Sequence, residues 1–236
     1  MDNTIKARIL LAGRRGKTEH KGLCSYHIFN FGNFKLEGRE PFGELIAFNE
    51  DMLAAECSTL IHIALLQEIF LIPIAGGLEV RRNEEENIYV SAGECGRLQL
   101  RAGDTVKITN PYPSQAVDFI QVWLKPGKNT PIPAHAGYSI NPFNINTRNA
   151  ILPLFASSTG ATKAYIAKYD LRSKGIFPYS RQIPNLFVYV IEGAFEFQDR
   201  LIQEKDSLRF EGVSAEFDFD ALSQDAMLLL IETSGN

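Results

Sequence analysis

The run Leu60-Ile-His-Ile-Ala-Leu-Leu-Gln-Glu-Ile-Phe-Leu-Ile-Pro-Ile-Ala-Gly-Gly-Leu-Glu-Val80 limits what this chain can fold into more than any other stretch. It reads as two apolar strand segments closed by Gly76-Gly77, since short apolar runs bounded by glycine form buried strands and turns. Arg101-Ala-Gly-Asp104 then supplies a second turn before Thr105–Thr109. Short strands separated by Gly, Asn and Pro recur along the chain, and no amphipathic helix of three turns interrupts them. That pattern predicts an all-β sandwich or barrel.

In chain order, Ala7–Ala12 is strand-like and the basic Gly13–Lys17 reads as a solvated turn. A phosphate loop is excluded there, because its glycine spacing and following helix are missing. Tyr26–Phe34 alternates apolar with polar residues, the period of a half-buried strand. His27 lies inside that alternation and reads as a hydrogen-bonded structural residue. Further strands are expected at Ile88–Ala92, Arg97–Leu100, Thr105–Thr109 and Phe119–Leu124, with Asn83–Asn87 as a polar tip. Residues 126–153 are rich in Pro and Asn and read as a connector packed across two domains, 1–125 and 154–236. In the second half, Phe187–Gly193 repeats the strand-then-glycine pattern of Ile69–Gly76. Glu204-Lys205-Asp206 stands where the second turn is expected, and Ala226–Ile231 answers the strand ending at Leu124. An internal repeat of this length implies two copies of one supersecondary unit.

His62, Glu68 and Gly76 fall in the register of a motif in which a His-x-His is followed by three residues, a Glu, seven residues and a Gly. On those residues, and on the aromatic run before Asn49-Glu50-Asp51, the chain resembles the pirin-like two-cupin family. The resemblance implies two jelly-roll cupin domains in tandem. It also implies a metal site built from that His-x-His and a later His-x-Glu, which in active members supports a quercetinase-like dioxygenase using iron or a similar ion. Here position 64 is Ala, and Asn110–Asp118, where the His-x-Glu belongs, contains no His. One imidazole does not hold a transition metal, because affinity needs several ligands in fixed geometry. The expectation is a degenerate site with no catalytic residue and no cofactor, the alternative being iron held by His27 or His135 as well. What remains is a concave pocket for a small molecule, or a scaffold for a protein partner. His62, Glu68, Tyr112, Gln121 and Trp123 are the candidate pocket residues, since they lie on or beside the strands that line the family's cavity.

The 236 residues carry a net charge of -4 and an isoelectric point near 5.7, which argues against nucleic acid as a partner. Met1–Lys6 shows no basic region followed by a long apolar run, so no membrane span is expected and the cytoplasm is the expected location. Cys24, Cys57 and Cys95 have neither the pairing of a disulfide framework nor the spacing of a zinc site. Serine-hydrolase, dinucleotide and zincin signatures are missing as well.

Overall fold

A computed structural model describes residues 6–125, 137–178, 183–212 and 216–234. The chain divides into two compact units. The first comprises Arg15–Pro41 and Leu45–Phe143, and the second the described residues of Met1–Arg14, Phe42–Glu44 and Asn144–Asn236. The opening strand β1 (Lys6–Leu10) belongs to the second unit. The first unit holds β2 (Gly16–His20), β3 (Leu23–His27), β4 (Leu45–Leu53), β5 (Ser58–His62), β6 (Gln67–Ala75) and β7 (Gly77–Arg82). It continues with β8 (Ile88–Ser91), β9 (Glu94–Leu100), β10 (Thr105–Thr109), β11 (Val117–Leu124) and β12 (Tyr138–Pro142). The second adds β13 (Ala150–Ala156), β14 (Thr162–Tyr169), β15 (Lys174–Phe177), β16 (Asn185–Glu192) and β17 (Ala194–Phe197). It ends with β18 (Arg200–Gln203), β19 (Ser207–Glu211), β20 (Phe217–Ala221) and β21 (Ala226–Thr233).

Each unit is a large antiparallel sheet with a four-stranded one. In the first, the orders are β12-β9-β6-β11-β4-β3-β2 and β5-β10-β7-β8; in the second, β1-β19-β16-β21-β14-β13 and β15-β20-β17-β18. Matched position by position, these are one topology: β12 takes the place of β1, β6 of β16, β11 of β21 and β4 of β14. The expected repeat is therefore a repeat of topology, and Gly76 and Gly193 occupy equivalent turns with φ of 81° and 80°. Only glycine adopts that conformation without steric cost.

Pairing also explains why the units are not contiguous in sequence. Lys6–Leu10 pairs with β19, which takes the first residues out of the expected 1–125 domain. Phe42–Glu44 joins the second unit as well, where Glu44 N–H donates to Thr233 Oγ1 at 3.0 Å and Thr162 Oγ1 donates to Glu44 Oε2 at 2.8 Å. The expected 126–153 connector is divided: Tyr138–Pro142 is an edge strand on β9, Ala150–Ala156 pairs with β14, and 126–136 lies outside the described residues. Tyr138 is 59% exposed on that edge. Two local corrections follow. Glu204-Lys205-Asp206 links β18 to β19, the position of Ala92-Gly93 in the first unit, whereas the counterpart of Gly103-Asp104 begins at Gly212. The strand expected over Tyr26–Phe34 ends at His27. Asn30 and Arg39 then close a loop through Asn30 N–H to Arg39 O at 2.6 Å, with a Phe31–Phe34 bridge inside it.

Side chains alternate across a strand, so pairing register assigns every residue to a face. In the first unit Leu53, Ile69, Leu71, Leu98, Leu100, Val117 and Phe119 lie on the inner face of the large sheet and pack against Leu78, Val80, Val106 and Ile108 of the small one. The second unit has the same layering, filled by Tyr169 and six buried phenylalanines.

Candidate functional site

At one end of the first unit's inner face, apolar residues give way to polar ones. Ser25 and His27 on β3 stand opposite Asp51 and Asn49 on β4, and Asn49 stands opposite Gln121 on β11. Trp123 follows Gln121 on the same face, two residues on. These side chains are the floor and wall of a cavity of about 740 Å³, whose other lining includes Phe31, Thr59, Ile61, His62 and Ala64.

The floor is one hydrogen-bonded chain. Trp123 Nε1–H donates to Gln121 Oε1 at 3.0 Å, Gln121 Nε2 donates to Asp51 Oδ2, and Ser25 Oγ donates to Asp51 Oδ1. Beside it, His27 Nδ1–H donates to Asn49 Oδ1 at 2.9 Å, which leaves Nε2 to accept from Thr18 Oγ1 at 2.9 Å. That pairing suits a neutral imidazole with its proton on Nδ1, the form that burial favours. Burial lowers the His27 pKa, against a smaller raising effect of the Asn49 bond. Burial likewise pushes the Asp51 carboxyl up to about 6, although the Ser25 and Gln121 bonds act in the opposite direction. Above the floor, Phe31 sits edge-on to Trp123 with ring centroids 5.1 Å apart and tilted against His27 at 5.1 Å.

Of the five residues expected in the pocket, His62, Gln121 and Trp123 line this cavity, while Glu68 and Tyr112 do not. Glu68 pairs with Leu124 across β6 and β11, one position out of step with the Ile69–Trp123 pair, so it emerges on the opposite face. There it is buried and ion-paired with Arg97 at 3.0 Å. Tyr112 is held near the other end of β11. Asn110 fixes its loop by accepting from Tyr112 N–H at 2.9 Å and donating to Leu53 O at 2.9 Å, and the Tyr112 hydroxyl meets that of Tyr89 at 2.6 Å. Six residue steps along the strand separate Val117 from Trp123, about 20 Å at the usual rise.

Sequence reasoning does not single out Ser25, Asn49 and Asp51 as site residues, and it names His27 only as a structural residue or an alternative iron ligand. The signals were present in the β3 alternation and in Asn49-Glu50-Asp51, but only the cross-strand register brings them onto one surface.

The described residues here do not fit the metal that the family resemblance implies. Only His62 supplies an imidazole at the motif positions, and position 64 offers a methyl group to the cavity. His27 has both ring nitrogens engaged, and His135 lies outside the described residues. Among the described residues, no three His, Cys, Asp or Glu side chains are grouped to hold an ion.

The fold has close parallels among solved structures. YhhW from Escherichia coli superposes with a TM-score of 0.84 at 17% identity, over 98% of this chain and 99% of that one. The same bacterial pirin in complex with nickel(II) gives 0.83 at 17% identity over 98% and 100%. A quercetin 2,3-dioxygenase from Acinetobacter baumannii gives 0.74 at 8% identity over 98% and 80%. The chain thus shares the fold of these solved structures. In sequence it is similar to a quercetin 2,3-dioxygenase of E. coli K12, 26% identical over 118 residues. That match covers 50% of this chain and 51% of the relative, about half the length of each. No family model matches the chain. Among the described residues, no helix is long and apolar enough to cross a membrane.

Proposed function

We propose that the first cupin unit binds a small organic molecule in its 740 Å³ cavity, without a transition metal and without catalysing a reaction. The observation that carries this reading is the polar floor running from Trp123 through Gln121 and Asp51 to Ser25. It crosses three strands at the base of a cavity whose volume lies within the range of small-molecule sites, about 300–1,000 Å³. A few fixed polar groups within apolar and aromatic walls are what such a site needs to orient a ligand. The degenerate metal motif supports the non-enzymatic part, since His62 without a partner at position 64 leaves nothing to hold an ion against water.

A metal-dependent, quercetinase-like dioxygenase is the second reading, favoured by the partial match to the E. coli quercetin 2,3-dioxygenase. Elemental analysis of protein purified without a His-tag separates the two, paired with oxygen uptake in the presence of quercetin. The binding reading expects neither a stoichiometric transition metal nor oxygen consumption. One iron, nickel, copper or zinc per chain together with quercetin-dependent oxygen uptake would establish the enzyme instead.

A further inference from the structure

The charges around the cavity are one-sided. Among the described residues that line it, Asp51 is the only carboxylate, and none is a lysine or arginine. Both Asp51 oxygens accept from uncharged donors, the Ser25 hydroxyl and the Gln121 amide. Neighbouring groups bring no compensating charge. Glu50, next in the chain and on the opposite face, is a like charge committed to Arg15 at 2.6 Å. His27, facing the cavity from β3, is neutral with both nitrogens in use, and His62 stands on the exposed strand β5. With its pKa near 6, Asp51 is mostly ionised at neutral pH, a buried negative charge without a counter-ion among the described residues. An ionised carboxylate offers about four acceptor positions, and neutral donors take two of them. The adjoining wall is aromatic, with Phe31 and Trp123 in contact, and the faces of such rings attract cations.

We propose that the molecule taken up by this cavity is an organic cation, an ammonium group on an apolar or aromatic body, directed toward Asp51 past Phe31 and Trp123, and that carboxylates and phosphates are rejected. This rests on the reading of the cavity as a binding site, and the test separates the two. Three probes of nearly equal size are titrated into the full chain at neutral pH: phenethylamine, 2-phenylethanol and phenylacetate. The amine is expected to bind about tenfold or more tighter than the alcohol, with phenylacetate weakest.

Asp51→Asn is expected to bring the amine to the affinity of the alcohol. The amide suits the site, because it can accept from Gln121 and donate to the Ser25 hydroxyl, which serves in either role. Ala64→Lys, at an exposed position on the lining, places a cation at the cavity and is expected to weaken the amine and strengthen phenylacetate. Equal binding of amine and alcohol, or tightest binding of phenylacetate, overturns the proposal while the cavity reading stands. Failure of all three probes to bind overturns both. Retention of the amine preference in both variants also overturns the proposal.

Discussion

Carried through the sheet registers, the floor of the first unit's cavity can be compared residue by residue with the second unit. Both have a register shift at the same place, where Asp118 and Phe119 meet Ala75 and Pro73 and where Met227 and Leu228 meet Glu192 and Val190. From that anchor Asp51 corresponds to Ala167, Gln121 to Leu230, Ser25 to Ile151 and Asn49 to Tyr165. Four polar positions in one unit are thus two aliphatic side chains, an alanine and a tyrosine in the other. In the second unit the interior is closed by aromatic packing. Phe219 stacks on Phe197 at 5.0 Å and meets Phe195 and Tyr169 edge-on, while a Cβ at Gly175 would lie 2.1 Å from the Phe219 ring. Topology alone therefore creates no site. The same strand order holds either an aromatic-rich apolar core or a cavity with a polar floor, according to which side chains occupy the inner face.

The largest effect that sharpens this contrast is expected from truncating each interior. Phe219→Ala leaves a void among rings that cannot collapse, and should cost about 3–5 kcal/mol in denaturant unfolding. Trp123→Ala removes a half-buried wall of a cavity that already exists, and should cost no more than about 1–2 kcal/mol. Equal losses would mean that the first unit is packed as tightly as the second.

A smaller effect should come from Asp51. Its carboxyl titrates near 6 when folded against an ordinary 3.8, so between those values the folded chain binds more protons than the unfolded one. Stability then falls as pH rises through that window, by about 2–3 kcal/mol from this group, and stays lower above it. Asp51→Asn should remove that slope and be relatively more stable near neutral pH. An unchanged slope in the variant would mean that Asp51 is not buried as an uncompensated acid.

Smaller still is the expected effect of His62→Leu. His62 lies on the exposed strand β5, so the change should shift stability by less than about 0.5 kcal/mol. Neither wild type nor variant should gain melting temperature on addition of iron, zinc or nickel. A rise of several degrees in the wild type alone would show a metal held on His62.

Much of this architecture was legible in the sequence because it is local. Period-two alternation and glycine punctuation locate β6, β10 and β11, and the matching runs before Gly76 and Gly193 reveal the repeat. The site is not local. Ser25, Asp51 and Gln121 are far apart in the chain and meet only across β3, β4 and β11, and a polar residue in an alternating strand does not announce which face it takes. Glu68 illustrates the cost of a single step, since its place beside the family motif suggested the cavity while its register puts it on the opposite face with Arg97. Tyr112 was near in sequence to the closing strand but is fixed at its far end. The motif at His62 lies on the cavity lining, and the missing histidines directed attention to a site other than a complete metal centre. They did not indicate the acid that stands in its floor.

The claim that the first unit's inner face is the binding surface, and the second unit's is not, is tested most directly by a proton–nitrogen NMR titration with phenethylamine. Trp123 is the single tryptophan, so its indole N–H gives one side-chain signal on the cavity wall. This signal and the amides of Ser25, His27, Asn49, Asp51 and Gln121 are expected to move together along one saturable curve, while those of Ile151, Tyr165, Ala167 and Leu230 stay in place. Shifts centred on the second set, or a stationary Trp123 indole at saturation, would contradict it.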